Sequence, residues 1–342
     1  MVMKRVHGWF RIMPSTLAFY REARRRPAFS CKEFVHGYIY GRWTYAYIGI
    51  ATGRHRLLKK LGPLVDLALG WLAREPGSRS EKDTAASAKA LPADEASLQK
   101  LRFADAYHGK VLLPEAARRL VTVDRNVRLT GLETVVPYAL ARDLILQHPD
   151  HIILLDCPCR STRANPCLPL DVCLVIGEPF AGFIAEHHPA KSRWISQAEA
   201  LDVLKAAGER GNVHHAFFKE AMLGRFYAIC NCCACCCGAM QARRNGVPML
   251  ASSGYVARVD PERCAGCGAC GAECQFQAAA LEDGIATVDP VKCMGCGTCV
   301  PRCPSEAIVL QRAPDKGDPL DLGILMPRSA GTPQPFDKAA TR

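Results

Sequence analysis

Apolar residues recur along the chain in short blocks divided by polar and proline-rich stretches. HIILLD (His151–Asp156) and VCLVIG (Val172–Gly177) are unbroken apolar runs of strand length, and RFYAIC (Arg225–Cys230) is a third. The spacing from Leu132 to Gln147 predicts a helix, and Ser196-Gln197-Ala198-Glu199 is a capping box opening another that runs to about Ala207. Strand and helix patterns thus alternate from about residue 98 to 250, which predicts an α/β or α+β domain in a multidomain chain. The pattern leaves both arrangements open.

Two apolar stretches come earlier, Phe34–Gly53 and Leu61–Ala73. Arg42 interrupts the first, and the second is shorter than the roughly twenty residues a membrane-spanning helix needs. That second stretch, LGPLVDLALGWLA, follows Arg54, Arg56, Lys59 and Lys60; it reads as a core helix, or as one lying on an anionic membrane surface or another subunit. Residues 75–97 are small, polar and proline-punctuated, the composition of a linker. Five parts follow: a basic, partly apolar region 1–74, the linker 75–97, a cysteine-rich domain 98–250, a segment 251–312 and a flexible tail 313–342.

The formal net charge of +11 is concentrated at one end, since residues 1–73 hold thirteen Lys/Arg against three Asp/Glu. Such an arm suits anionic lipid, nucleic acid or an acidic redox partner, or is a solvated basic extension. No nucleic-acid recognition motif accompanies it, so a redox partner protein is expected and nucleic acid is not. Eighteen of the nineteen cysteines lie after residue 156, and the basic N-terminal stretch lacks the apolar run of a cleavable signal. A cytoplasmic, metal-binding chain is therefore expected rather than a disulfide scaffold. No dinucleotide fingerprint, phosphate loop or C-x-x-C-H haem motif is present. The pairs His187-His188 and His214-His215 read as surface or core residues, because adjacent side chains diverge.

The strongest pattern is a repeat. VDPERCAGCGACGAEC at Val259 returns 29 residues later as VDPVKCMGCGTCVPRC at Val288. Each copy has the spacing C-x2-C-x2-C-x3-C: Cys264, Cys267, Cys270 and Cys274, then Cys293, Cys296, Cys299 and Cys303. Tight runs of this kind wrap thiolates around an iron-sulfur cubane, and Gly266, Gly268, Gly295 and Gly297 let the backbone turn close to it. Structural zinc sites group their ligands as separated pairs and fit this spacing poorly. Residues 254–312 resemble the bacterial two-cluster ferredoxins. The resemblance implies a ferredoxin-like fold of paired hairpin-and-helix units holding two [4Fe-4S] clusters, the fourth cysteine of each run serving the other cluster. Cluster one would take Cys264, Cys267, Cys270 and Cys303, and cluster two Cys293, Cys296, Cys299 and Cys274. Cys303 is followed by the expected proline, whereas Cys274 is followed by Gln275.

Ten more cysteines follow the predicted strand ends: Cys157 and Cys159 in DCPCR, Cys167 and Cys173 around the next loop, and six in CNCCACCC from Cys230 to Cys237. They cannot all face one way, and Cys157, Cys159, Cys167, Cys173, Cys232, Cys233 and Cys236 are the candidates for a site of their own. A third iron-sulfur cluster, reactive thiols near Arg160 and Arg163, and inert structural cysteines all remain readings. The motifs DCPCR, LPLDVCLVIG, VHHAFF and ICNCCACCCGAMQ, followed by the repeat, resemble a group of ferredoxin-fused prokaryotic proteins, a resemblance that brings no reaction with it. The leading functional reading is an electron-transfer protein relaying single electrons through the clusters to or from the second cysteine site or a partner. A reductase with substrate chemistry at that site is the alternative, and a nucleic-acid-binding iron-sulfur protein the third.

Overall fold

The computed structural model describes residues 13–26, 29–54 and 94–326. The stretch Leu61–Ala73, most of the expected linker, Arg56, Lys59, Lys60 and the last sixteen residues lie outside them.

Three helices come first: α1 (Pro14–Arg24), α2 (Cys31–Arg42, capped by Ser30 Oγ) and α3 (Thr44–Ala51). They are not a separate basic arm. Phe19, Tyr40 and Ile48 belong to the main hydrophobic core. The Phe19 ring packs edge-on against Phe180 and Phe183 at centroid distances of 5.9 and 5.5 Å. Burying these aromatic faces outweighs the local charge. Phe19→Ala is therefore expected to cost about 3–5 kcal/mol in a denaturant titration; a cost under about 1 kcal/mol would mean the helices dock only loosely. No helix among the described residues is long and apolar enough to cross a membrane.

The next helix, α4 (Glu95–Ala106), begins inside the expected linker, its N-terminus capped by Asp94, which accepts from the Ser97 N–H at 2.8 Å. Then come β1 (Tyr107–Val111), α5 (Pro114–Thr122), β2 (Val127–Leu129) and β3 (Leu144–Asp156). The helix expected over Leu132–Gln147 does not form. Pro137 stands in its middle, where it lacks a donor and clashes with the preceding turn. Its apolar residues instead bury an irregular segment, with Leu132, Val135, Val136 and Ala141 in the core. After β3 follow α6 (Pro158–Ser161), β4 (Asp171–Glu178), α7 (Phe180–His187), β5 (Ser192–Ile195), α8 (Gln197–Glu209), β6 (Val213–Lys219), β7 (Arg225–Cys232), α9 (Gly238–Arg244) and β8 (Leu250–Ala251). The predicted cap is present, Ser196 Oγ accepting from the Glu199 N–H at 3.2 Å.

One eight-stranded sheet results, ordered β2-β3-β4-β7-β6-β1-β8, with β5 paired to β3. All its pairings are antiparallel except β1 with β8. The domain is thus α+β, since hairpin-like antiparallel pairing replaces the crossovers of an α/β sheet. Its register matters for function: Leu155 lies opposite Cys173, Cys173 opposite Cys230 and Cys230 opposite His215, a row across four adjacent strands.

The repeat folds as two copies that exchange contacts. Strands β9 (Tyr255–Val259), β10 (Ala279–Glu282), β11 (Ile285–Val288) and β12 (Ile308–Arg312) form two antiparallel pairs, β10 with β11 and β9 with β12. The first pair turns at Asp283-Gly284, both at positive φ, the favoured chemistry for a two-residue hairpin. Helix α10 (Ala269–Glu273) in the first copy is matched by a 3-10 turn, Val300–Arg302, in the second. Asp260 N bonds Ala307 O at 2.8 Å and Asp289 N bonds Ala278 O at 2.7 Å, so each copy is tied to the other.

The chain is not free after residue 312. Leu320 and Leu322, the latter in α11 (Leu322–Leu325), are buried in the main core. Lys110 Nζ donates to Asp318 O at 2.7 Å, and Arg119 pairs with Asp321 at 2.7 Å. The described part of the expected flexible tail is thus strapped across the cysteine-rich domain.

Candidate metal centres

The strand ends bring the ten middle cysteines together, but not as one site. Because side chains alternate along a strand, Cys230 and Cys232 leave β7 on the same face as Cys173 of the neighbouring β4. Cys157 and Cys159 flank the start of α6, and Cys237 caps α9; all six line one cavity. Their thiols form a chain of contacts, Cys230 to Cys173 to Cys157 to Cys159 to Cys237 to Cys232. The Gly238 N–H points at Cys159 Sγ from 3.4 Å. Hydrogen bonds from Cys157 and Cys237 hold the Cys159 thiol well below its ordinary value. Cys237 and the neighbouring His215 likewise lower Cys232.

A second group sits beside this chamber: Cys167, Cys233, Cys235 and Cys236, whose sulfurs all lie within 4.8 Å of one another. Cys233 and Cys236 also border the cavity, so the groups share a wall. The seven cysteines expected as one site are therefore divided: Cys157, Cys159, Cys173 and Cys232 face inward, and Cys167, Cys233 and Cys236 join the outer quartet. The cause is local. The strand ends at Cys232, and the turn 233–236 before α9 brings Cys233, Cys235 and Cys236 together with Cys167.

Arginines bind the backbone of both groups. Arg160, 1 % exposed, donates to Pro169 O at 2.6 Å and to Asn212 Oδ1 and Asn231 O at 3.2 Å. Burial would lower its guanidinium, but Cys233, Cys157, Cys173 and Cys167 around it raise it. Arg54, at the end of the N-terminal helices, reaches Cys159 O at 2.9 Å and Cys236 O at 3.1 Å. Arg163 donates to Cys235 O and Arg244 to Ala234 O. Part of the basic charge is thus turned inward onto the cysteine loops.

In the repeat, Cys264, Cys267, Cys270 and Cys303 line a single cavity, the last drawn from the second copy. Cys274 of the first copy lies among the second run: burial pushes Cys299 up to about 12, and Cys296, Cys293 and Cys274 are the thiols that raise it further. Backbone donors point at the sulfurs in matched pairs. Ala278 N and Ala307 N approach Cys274 and Cys303 at 3.2 Å, and Ala286 N and Ala257 N approach Cys264 and Cys293 at 3.4 and 3.5 Å. A family model for a 4Fe-4S binding domain matches residues 286–309. No curated protein matches the chain.

The match and the clustered thiols support iron-sulfur binding and, in general terms, electron transfer. The cavity also fits the group: four thiols around one space, with N–H donors aimed at their sulfurs, are what a cubane's terminal ligands require. Gly295, at φ 62°, is indispensable to this packing, because a Cβ there would run into the Tyr255 carbonyl. Gly295→Ala is expected to lower the midpoint of thermal unfolding and the iron content together; unchanged values would show that the two copies can separate here without consequence.

The repeat docks on the middle domain through its second cluster of cysteines. Met294 is buried in the main core, Cys296 packs against the same core, and Arg302 donates to Glu209 O. Cys267, by contrast, is exposed. Gln275, the residue in place of proline, accepts a hydrogen bond from Ala234 N at 2.8 Å, inside CNCCACCC. Phe276 beside it faces His215 at 6.4 Å between ring centroids. Neither contact was visible in the sequence beyond the irregular Gln275 itself. Of the cysteines missed there, Cys230 was accessible through its two-residue spacing from Cys232, while Cys235 and Cys237 depend on the turn.

Three of the paired histidines, His187, His214 and His215, are buried, and His188 is half-buried. His214 bonds Asn231 Oδ1 at 2.5 Å and His187 bonds Phe183 O at 2.9 Å.

Proposed function

We propose that this chain is a one-electron relay whose C-terminal repeat, folded like a bacterial two-cluster ferredoxin, holds two [4Fe-4S] clusters against a third redox centre in the middle domain. Cys264, Cys267, Cys270 and Cys303 are the ligands of the first, and Cys293, Cys296, Cys299 and Cys274 those of the second. The six inward thiols, Cys157, Cys159, Cys173, Cys230, Cys232 and Cys237, are the ligand set of the third, too many for one ion and suited to a polynuclear iron-sulfur cluster. Bound clusters of this type accept and release single electrons.

The observation that carries this reading is the orientation of the repeat. Its first site meets solvent at Cys267, where a partner protein can approach, while on the side of its second site Cys296 packs against the middle-domain core and Gln275 accepts from Ala234 N in the cysteine loop. Gln275→Pro restores the regular ferredoxin pattern and removes the acceptor for Ala234 N. With a low-potential donor in a stopped-flow experiment, the variant should deliver electrons to the middle domain severalfold more slowly at unchanged iron content. Delivery at the wild-type rate would contradict a relay through this contact.

A reductase is the second reading, favoured by tyrosines that line the same cavity as the thiols. Tyr40 and Tyr227 share a 2.8 Å hydrogen bond there, Tyr227 donates to Tyr107 at 3.4 Å, and Lys219 lies over the Tyr40 and Tyr107 rings. These hydroxyls could supply protons to a small molecule reduced beside the cysteines. Substrate-dependent turnover with an artificial donor distinguishes the two.

A further inference from the structure

We propose that Cys167, Cys233, Cys235 and Cys236 bind a single metal ion in a tetrahedral field of four thiolates, a centre separate from the six-thiol chamber and from the repeat. Their sulfurs lie within 4.8 Å of one another, with Cys167 and Cys235 at 3.1 Å. An ion with metal–sulfur bonds of about 2.3 Å at tetrahedral angles spaces its ligands by about 3.8 Å, so the quartet closes on one ion with small side-chain movements. A cubane bonds each thiolate to a different iron and holds the four further apart. The same chain supplies the contrast: among the described residues, the repeat cysteines form no group this tight.

The local fold explains the convergence. Cys233 and Cys236 are brought together by the turn after β7, closed by the Cys237 N–H donating to Cys233 O at 3.0 Å. Cys167 comes across from the loop before β4. A divalent ion with four thiolates carries a net negative charge, which needs cations nearby. They are present: Arg163 on Cys235 O, Arg54 on Cys236 O, and Arg160 among the thiols. An all-thiolate tetrahedron suits zinc or iron. The ion would pin the loop that carries Ala234, and with it the surface on which Gln275 docks. The proposal does not depend on electron transfer.

The test uses the full chain purified anaerobically, with zinc, iron and acid-labile sulfide counted and X-ray absorption recorded at the zinc edge. One zinc per chain with four sulfur neighbours near about 2.3 Å and no metal neighbour is the expected result. If the ion is iron, Mössbauer spectra should show one isolated high-spin iron beside the clusters. The double variant Cys167→Ser/Cys235→Ser should lose that one metal and keep all its sulfide. Should the variant fail to fold, the wild-type spectra decide. Loss of sulfide with the metal, metal neighbours in the spectrum, or a Cys167–Cys235 disulfide in the anaerobic protein would each overturn the proposal.

Discussion

Cys303→Ser is expected to remove the cluster whose other three ligands belong to the opposite copy of the repeat. The cavity it lines is completed by Cys264, Cys267 and Cys270, while its neighbours in sequence, Cys296 and Cys299, lie with Cys274. About four irons and four sulfides should be lost, and the coupled EPR spectrum of two reduced cubanes should collapse to that of one. Cys274→Ser should mirror this, sparing the cluster of the first run. If Cys303→Ser instead erased the same signal as Cys299→Ser, the ligands would be grouped by run and the crossed assignment would be wrong.

A large effect on stability is expected at Arg160. Its guanidinium is almost fully buried and donates to two backbone carbonyls and the Asn212 side chain, beside thiols of both middle groups. Arg160→Met keeps much of the volume but leaves three acceptors without a donor and removes the cation facing the thiolates. Breaking a buried ionic contact from one side costs about 3–5 kcal/mol. Arg163→Met, which removes a bond to Cys235 O nearer the surface, should cost about 1 kcal/mol. Anaerobic urea titrations of the two variants make the comparison. Equal costs would mean that Arg160 is not the cation holding the two cysteine groups together.

What could be read from the sequence divides along a physical line. Short-range patterns are legible: the strands in HIILLD, VCLVIG and RFYAIC, the Ser196 cap, and the repeat, whose two copies fold as two antiparallel strand pairs. Features that depend on tertiary information are not legible there. The apolar spacing after Leu132 predicts a helix that Pro137 prevents, because buried irregular segments also place apolar residues at intervals. The antiparallel pairing that decides between α+β and α/β is a property of strand partners, not of strands. In CNCCACCC the residue types announced a site, but only the end of β7 and the turn after it separate an inner six from an outer four. The N-terminal charge pointed outward in the sequence, yet Arg54 points in, because two carbonyls of the cysteine loops need a donor.

The central claim is most directly tested by counting iron and acid-labile sulfide in the anaerobically purified chain and recording EPR after dithionite reduction. Two clusters in the repeat and a polynuclear centre in the chamber predict more than eight irons, with a coupled two-cubane spectrum and a further signal that disappears in a Cys159→Ser/Cys232→Ser variant. Four irons or fewer, with a single uncoupled cubane signal indifferent to Cys159 and Cys232, would contradict the account.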